Sequence, residues 1–410
     1  MNPLVHIMGQ AYALSELTES EGGYNAVLER AKRTAGYAEC GCVPRTPFPK
    51  LQIRRHGTSY LLARWPDQAH LHAKECPFGR AWAGRSEDAV ATAPFVLRDG
   101  VLDIRLDLAL TVLPRAVPAS PVQVPSAEAR GAGRRTAGLL AFLEYAWEAA
   151  GLNSWSANER RSWASCWARL SGELGNGQIN GQPAADILHV IRRYEPDKRA
   201  EINDELDTFL DRLKSNADEK RRGLVIGEIQ SLEPSQFGGV LVLRQNNRRY
   251  YLSEAAYKAT LQAHGTALSG IGRHGARCVA VLAVSHSDKR YLKAVEVAAM
   301  LTNAVFIPGD STYELAMADR LIREGRTFMK PLRHVDRAPV HPDFVLRDTG
   351  KETVIEVYGM VGNAEYDRKV TEKRQYYARL GTPVVEWIPP GQALESVVLP
   401  PIKSGSGTAR

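Results

Sequence analysis

The sequence has no long apolar run and few cysteines. None of its 410 residues belongs to an apolar stretch near the ~20 residues that a transmembrane helix needs. The opening residues, MNPLVHIMGQAYALSEL, lack the basic start and clean apolar core of a signal peptide. Five cysteines, an odd number, argue against a disulfide framework. We therefore expect a cytoplasmic protein without a membrane partner, in which clustered cysteines indicate a metal.

Several common catalytic motifs are also missing. There is no Gly-x-Ser-x-Gly elbow, no glycine-rich phosphate loop and no evident Cys/His pair of nucleophile and base. These absences argue against serine-type, cysteine-type and P-loop hydrolases. What is present is positive charge, with a net charge of +7 and a pI near 9.1. This charge favours an anionic partner but does not by itself distinguish DNA, RNA and a membrane surface.

The hydrophobic patterns predict a multidomain α+β protein. The hairpin KLQIRRHGTSYLLAR and the alternating VLDIRLDLAL indicate an N-terminal β module, while the capping pattern Ser156/Glu159 predicts the start of a helix in a central helical domain. The C-terminal half is mixed α/β, although YLKAVEVAAMLT fits a helix and a strand equally well. The predicted boundaries are 1–112 (leading helix and β module), 113–136 (linker), 137–218 (helical domain), 219–308 (α/β domain), 309–395 (final domain) and 396–410 (flexible tail).

A first group of metal-binding residues flanks the N-terminal hairpin. The segments ECGC and HLHAKEC carry Cys40, Cys42, His72 and Cys76, a complete set of four nitrogen and sulfur ligands for tetrahedral zinc. His70 is an alternative to His72, and small buried cysteines beside surface histidines would explain the pattern without a metal. Because protein side chains fill all four positions, we predict a structural and not a catalytic zinc.

A second group consists of acids in the final domain. In HPDFVLRDTGKETVIEVYG, Asp343 begins one strand and Glu356 ends the next, so a hairpin places both near the same end. Such carboxylates can hold Mg²⁺ or Mn²⁺, which lowers the pKa of bound water and stabilises a phosphodiester transition state. Glu314 adds a third acid, although with Ser311 it fits a capping box equally well. Asp343 as a strand-edge acid and Glu356 as a buried ion-pair partner are the simpler alternatives.

Pro342-Asp343 followed by Glu356-Val357-Tyr358 resembles the motif of the PD-(D/E)XK, or restriction-endonuclease-like, nuclease superfamily. The resemblance covers about the last quarter of the chain, where the predicted order of helix, hairpin, helix and strand also matches the family core. It implies a restriction-endonuclease-like domain at 309–395, with Asp343 and Glu356 binding the catalytic metal and Glu314 assisting. The whole chain also resembles uncharacterised bacterial proteins found near plasmid and integrative-element genes, through CGC…HLHAKEC, IPGDSTYE, TFMKPLR and PDFVLRD…IEVYG. That likeness implies a mobile-DNA or defence setting.

One position departs from the nuclease motif. Tyr358 stands where the family has lysine, and a tyrosine hydroxyl can position water or phosphate but carries no positive charge at neutral pH. The following helix, NAEYDRKVTEKRQYYARL, places Tyr366, Lys369 and Lys373 on one face. We therefore expect Lys369 or Lys373 to supply the missing cation. A solvated basic helix is the simpler alternative.

The leading hypothesis from the sequence is a Mg²⁺-dependent DNA endonuclease. A non-catalytic DNA-binding or assembly factor with a degenerate nuclease fold is the second, and an RNA-processing nuclease is the third. The segment RQNNRRYYL, Arg244 to Leu252, interleaves arginines with tyrosines and suits either a nucleic-acid contact or a solvent-facing hairpin. The sequence identifies no protein partner.

Overall fold

The computed structural model describes residues 3–19, 24–66, 68–73, 76–79, 93–98, 101–112, 136–157, 159–214, 219–287, 291–332, 340–359 and 364–403. Within these ranges the protein is mixed α+β, as its sequence predicts. Most of the predicted linker, residues 113–135, lies outside the described residues. No helix in the described part of the chain is both long and apolar enough to cross a membrane.

The N-terminal part contains an antiparallel sheet and two helices. Their bounds are β1 Leu4–Ile7, β2 Gln10–Ala13, α1 Leu14–Glu19, α2 Asn25–Thr34, β3 Tyr37–Cys40, β4 Lys50–His56 and β5 Ser59–Arg64. The strand order is β2-β1-β3-β4-β5. The predicted hairpin is confirmed, since His56 pairs with Ser59 across a turn in which Gly57 has a positive φ of 57°. Three more strands follow, β6 Phe95–Arg98, β7 Val101–Ile104 and β8 Thr111–Val112.

The central segment alternates helices with very short strands. Its elements are α3 Leu139–Ala149, β9 Ser154–Trp155, α4 Trp163–Leu174, β10 Gln178–Ile179, β11 Gln182–Pro183, α5 Ala184–Ile187, β12 Leu188–Val190 and α6 Arg199–Arg212. The helix predicted from Ser156 begins later than expected. Ser162 is its N-cap, accepting a hydrogen bond from the backbone N–H of Ala164, while the carboxylate of Glu159 contacts Arg161 and Arg169.

The remaining elements form the C-terminal half. They are β13 Lys220–Arg221, β14 Gly223–Ser235, β15 Gly238–Leu243, β16 Arg249–Ser253, α7 Glu254–Leu268, β17 Ala276–His286, β18 Leu292–Asn303, α8 Thr312–Arg323, β19 Phe328–Met329, β20 Phe344–Leu346, β21 Thr353–Val357, α9 Ala364–Leu380 and β22 Val384–Trp387. The ambiguous segment YLKAVEVAAMLT is thus a strand, β18.

Five strands of this half close into a barrel. Around the ring the order is β14-β15-β16-β18-β17, and β17 pairs back to β14. All neighbours are antiparallel except β16 and β18, which are parallel. The helix α7 connects β16 to β17, the next strand in the sequence. This strand order, with the helix in that position, is found in OB-fold barrels. The short strand β12 joins the outside of the ring by pairing in parallel with β14.

Strand pairing crosses the predicted domain boundaries. From the central segment, β9 pairs with β19, β10 pairs with β7 and β12 pairs with β14. The C-terminal sheet therefore has the order β22-β21-β20-β19-β9, with β21 and β22 parallel. The segment predicted as a helical domain contributes strands to three sheets, with β9 and β12 at the edges of two of them, and the boundaries at 137 and 218 remain predictions.

The predicted flexible tail starts too early. The carbonyl of Val397 accepts a hydrogen bond from Arg320, and that of Pro400 accepts one from Arg326. The N–H of Lys403 donates to the carbonyl of Asp348. Two arginines that are themselves buried thus hold residues 396–403 against the C-terminal sheet, and residues 404–410 lie outside the described part.

The largest core lies between the barrel and the central helices. Side chains of β14, β17 and β18 that point out of the barrel pack with α3 and α4, and those that point inward form a second core. Trp147 of α3 is fully buried in the first core, and its indole N–H donates to the carbonyl of Phe306 at 3.0 Å. This contact joins α3 to the segment that follows the barrel.

We predict that Trp147→Ala lowers the free energy of unfolding by about 3–5 kcal/mol, because it leaves a large cavity and an unpaired carbonyl. Leu140→Ala, on an exposed position of the same helix, should cost under about 1 kcal/mol. Denaturant unfolding of both variants measures the difference. Equal losses in the two variants would contradict the assignment of this core.

Candidate functional site

The four predicted zinc ligands come together at one end of the N-terminal sheet. Cys40 ends β3, Cys42 follows it by two residues, and His72 and Cys76 lie beyond the hairpin β4–β5. All four side chains are buried, and their ligand atoms lie within 4.8 Å of one another. Together they form the one Cys/His/Asp/Glu group of this kind within the described ranges.

The distances in this group fit tetrahedral zinc. Sγ of Cys40 lies 3.7 Å from Sγ of Cys76, and Nδ1 of His72 lies 3.4 Å from Sγ of Cys42 and 3.6 Å from Sγ of Cys76. Zinc–sulfur bonds of about 2.3 Å at tetrahedral angles place two sulfurs about 3.8 Å apart. No disulfide joins these cysteines. The group could therefore hold a zinc ion, and His72 is the histidine ligand, because His70 is exposed.

The close packing of the thiols also favours a thiolate. Hydrogen bonds from the thiols of Cys40 and Cys76 hold the pKa of Cys42 well below its usual value. The hydrogen bond to Cys42 raises the pKa of Cys40, and burial raises that of Cys76, so the thiolate is favoured at Cys42 alone. A thiolate is the form in which cysteine binds zinc. The backbone turns tightly here, since a Cβ on Gly79 would lie 2.1 Å from the carbonyl oxygen of Ala73. The loop thus needs glycine in order to bring Cys76 to the group.

The predicted acids lie at one end of the C-terminal sheet. Asp343 immediately precedes β20, Glu356 is in β21, and the register of the two strands places them side by side. Glu314 lies in the first turn of α8. Its backbone N–H donates to the side chain of Ser311 at 3.1 Å, so Ser311 caps the helix. The carboxylate of Glu314 accepts a hydrogen bond of 3.0 Å from the backbone N–H of Asp310 and also contacts Lys330. The capping interpretation and the site interpretation are therefore both compatible with the structure.

Glu356 is bound on both oxygens by side chains of α9. Its Oε2 lies 2.6 Å from Nζ of Lys373, and its Oε1 accepts a hydrogen bond of 2.6 Å from the hydroxyl of Tyr377. Lys373 also donates to the carbonyl of His341 at 2.9 Å. The side chain of Glu356 has no exposed surface. An acid inside an apolar strand is tolerated here because a cation and a hydroxyl satisfy it.

Lys330, which follows β19, contacts the other acids. Its Nζ lies 2.6 Å from Oε2 of Glu314, 3.3 Å from Oδ2 of Asp310 and 4.0 Å from Oδ1 of Asp343. Oδ2 of Asp343 accepts a hydrogen bond of 2.7 Å from the backbone N–H of Val357. Asp343 therefore lies between the Lys330–Glu314 pair and the Lys373–Glu356 pair, and connects them into one cluster.

Negative charge exceeds positive charge in this cluster. Burial raises the pKa of Glu314 and of Asp343, Lys330 opposes the rise, and neighbouring carboxylates add to it. Burial would lower the pKa of Lys330, but Glu314, Asp310 and Asp343 outweigh it and raise that pKa. Four carboxylates against two ammonium groups leave a formal charge of −2. No three of these carboxylates, all within the described ranges, form a metal-binding group like the Cys/His group, whose ligand atoms all lie within 4.8 Å of one another.

Two predicted residues do not join the acids. Lys369 is exposed on α9, where its Nζ lies 2.8 Å from Glu365. Tyr358 is buried, and no described residue forms a hydrogen bond with its hydroxyl. Its ring faces the guanidinium of Arg374 at 5.6 Å. The structure thus brings Lys373, and not Lys369 or Tyr358, to the carboxylates.

The sequence analysis missed Lys330 and Tyr377. Lys330 stands between Met329 and Pro331 in TFMKPLR, and a lysine in so apolar a segment needs a buried carboxylate partner. This lysine within an apolar segment was the sequence feature from which a buried ion pair could have been predicted. Tyr377 gave a weaker one, as the fourth residue after Lys373, which places both on the same face of α9.

Both sites lie within the stretch of chain that a single family model covers. The model described as "Protein of unknown function (DUF1173)" matches residues 12–390. The chain belongs to the DUF1173 family. No curated protein matches it. For the DUF1173 chain, function must therefore be argued from the geometry of the two sites.

We predict about one zinc per chain in purified protein. Cys76→Ser should lose the metal and lower the melting temperature, because a tetrahedral site loses a ligand that holds the end of the β module. Cys278→Ala removes a buried cysteine of the barrel core and should keep the metal. Metal analysis by mass spectrometry with thermal unfolding measures both. Full zinc occupancy in Cys76→Ser would rule out the assignment.

Proposed function

We propose that the C-terminal acidic cluster is the active site of a Mg²⁺- or Mn²⁺-dependent DNA endonuclease. The observation that carries the proposal is the contact between Lys373 and Glu356. A lysine from α9 lies at the second acid of the motif, 2.6 Å away, although Tyr358 replaces the lysine in the motif itself. The order of α8, β19, the hairpin β20–β21, α9 and β22 further supports the resemblance to the restriction-endonuclease-like fold.

The roles of the residues follow from their positions. Asp343 and Glu356 would hold the metal, which when bound supplies an activated water and stabilises charge on the phosphate. Lys373 would then contact the phosphate or the attacking water, because it is the only part-exposed cation in contact with the motif acids within the described ranges. Lys330 is buried and would keep Glu314 and Asp343 oriented. Within this proposal the Cys/His group is a structural zinc centre of the N-terminal β module.

A second candidate is a DNA-binding or assembly factor without catalysis. The observation that favours it is the complete burial of Glu356, with both of its oxygens already engaged by Lys373 and Tyr377. Metal binding would have to displace at least one of these contacts. In this alternative the ion pairs stabilise the sheet and the net positive charge of the chain serves binding alone.

We predict that purified protein nicks or cuts plasmid DNA with Mg²⁺ or Mn²⁺, and that Glu356→Gln and Asp343→Asn abolish cutting. Lys373→Ala should slow it about 100-fold, the size expected when one electrostatic stabiliser is removed. Lys369→Ala is the matched control, since it removes an exposed lysine one turn earlier in the same helix, and its rate should stay near that of wild type.

Cleavage rates, DNA affinity and melting temperature of each variant should be measured together, so that a folding defect is recognised. Equal losses in Lys373→Ala and Lys369→Ala would contradict the role of Lys373. DNA binding without cleavage by the wild type, under every metal and substrate tried, would favour the second candidate.

We predict that Tyr358→Phe cuts at nearly the wild-type rate. The change removes only a hydroxyl that bonds to no described residue, while Lys373 already supplies the cation. A loss above about tenfold would show that Tyr358 takes part in the chemistry. The role of the motif lysine would then lie at position 358 and not with Lys373 alone. Single-turnover cleavage measures this directly.

A further inference from the structure

One side of the barrel has no helix over its outer surface among the residues that the structure describes. Residues 223–229 of β14, together with β17 and β18, are covered on the outside by the core that contains α3 and α4. Strands β15 and β16 instead alternate between buried and half-buried or exposed residues, so that their outer side chains meet solvent. In register, Val240 lies beside Tyr251 and Val242 beside Arg249. Tyr251 in turn lies beside Lys293 of β18.

This uncovered side carries aromatic rings. We call it the aromatic face: Arg249, Tyr251, Tyr291 and Lys293, together with Phe237 in the adjoining turn at the start of β15. Phe237, in the turn between β14 and β15, is 80% exposed, and Tyr291, just before β18, is 40% exposed. The rings of Tyr251 and Tyr291 lie 5.2 Å apart, nearly perpendicular to each other. Contiguous exposed patches of large apolar side chains mark sites of contact, whereas single exposed side chains are normal.

The aromatic face also carries positive charge next to its tyrosines. Nζ of Lys293 lies 5.7 Å from the centre of the Tyr291 ring. Arg249, which precedes Tyr251 by two residues in β16, is exposed. Glu233 of β14 is the acid in the same row, and it lies two strands from Tyr251 and three strands from Lys293. Arg244 is also exposed, but Glu228 pairs with it at 2.6 Å.

We propose that the aromatic face binds single-stranded DNA. Bases of an unpaired strand can stack on Tyr251, Tyr291 and Phe237 while Arg249 and Lys293 contact its phosphates, which is how sequence-independent single-strand binders work. In a duplex the bases are paired and stacked inside the helix, so they cannot stack on these rings. The second and third strands of an OB-fold barrel form its usual oligonucleotide face, yet a fold alone assigns no function, and the argument rests on these five side chains.

The aromatic face is separate from the acidic cluster. Only the choice of DNA over RNA rests on the proposed nuclease function. The face would hold a displaced or unpaired strand during cleavage, or would serve the second candidate by binding alone. Binding measured without added divalent metal and without chelator tests the face, leaves a zinc ion in place and requires no cleavage.

The test is fluorescence anisotropy of a labelled oligothymidine of roughly 12 nucleotides. Tyr291→Ala and Tyr251→Ala should each weaken binding about tenfold to a hundredfold. Tyr251→Phe keeps the ring and should bind nearly as wild type, which separates stacking from a folding defect. Lys293→Ala should reduce the slope of log affinity against log salt by about 0.7.

Two matched controls remove the same groups elsewhere. Tyr194→Ala removes a tyrosine that is 47% exposed outside the barrel, and Lys258→Ala removes an exposed lysine of α7 that pairs with Glu254. Both should bind as wild type. The proposal is overturned if wild type ignores the oligonucleotide at low salt, if a duplex of equal length binds more tightly, or if the controls lose as much as the face variants. Preference for oligouridine of the same length overturns the choice of DNA.

Discussion

Burial of both sides of residues 223–229 of β14, and of most of β17 and β18, is the constraint on which the rest of the structure depends. These strands form most of the barrel, so their inward side chains make its core, and their outward side chains must be covered by something else. The central helices α3 and α4 provide that cover. A helix pair recruited to one side of a barrel leaves the opposite strands, β15 and β16, to face solvent. Packing thus decides which side of the barrel is free to bind.

A second constraint acts at the acidic cluster, where charge and not apolar burial determines the arrangement. A buried carboxylate without a partner is costly, so each acid needs a cation or a hydrogen-bond donor. Lys330 and Lys373 approach the end of the sheet from β19 and α9, while Val357 and Tyr377 supply further donors. The cluster consequently draws on five elements, α8, β19, β20, β21 and α9, and it exists only when all of them are folded together.

The features that the sequence predicted depend on a small choice of metal-binding residue types or on residues that are close together in the chain. The Cys/His group was found because few arrangements other than a metal site explain those residue types at that spacing, and the hairpin at Gly57 because its turn is local. The strand β18 was ambiguous because both of its sides are buried, which removes the alternation that identifies a strand. Lys330 was missed because its partner Glu314 lies on a different element. The helix start at Ser162 was missed because Glu159 does accept a hydrogen bond from the N–H of Ser156, as a capping box would, but also binds Arg161 and Arg169, and the helix begins only after Ser162.

The short strand β9 has a consequence for how the chain assembles. The side chain of Asn153 donates to the backbone carbonyl of Lys330 at 2.7 Å, across 177 residues of sequence, and β9 pairs with β19 beside it. During synthesis from the N-terminus, residues 153–155 lack their partner strand β19 until most of the protein has left the ribosome. Contacts so distant in sequence slow folding. The end of the sheet that carries Lys330 is therefore among the last parts to form, and a ribosome-bound nascent chain would contain the barrel before it contains the acidic cluster.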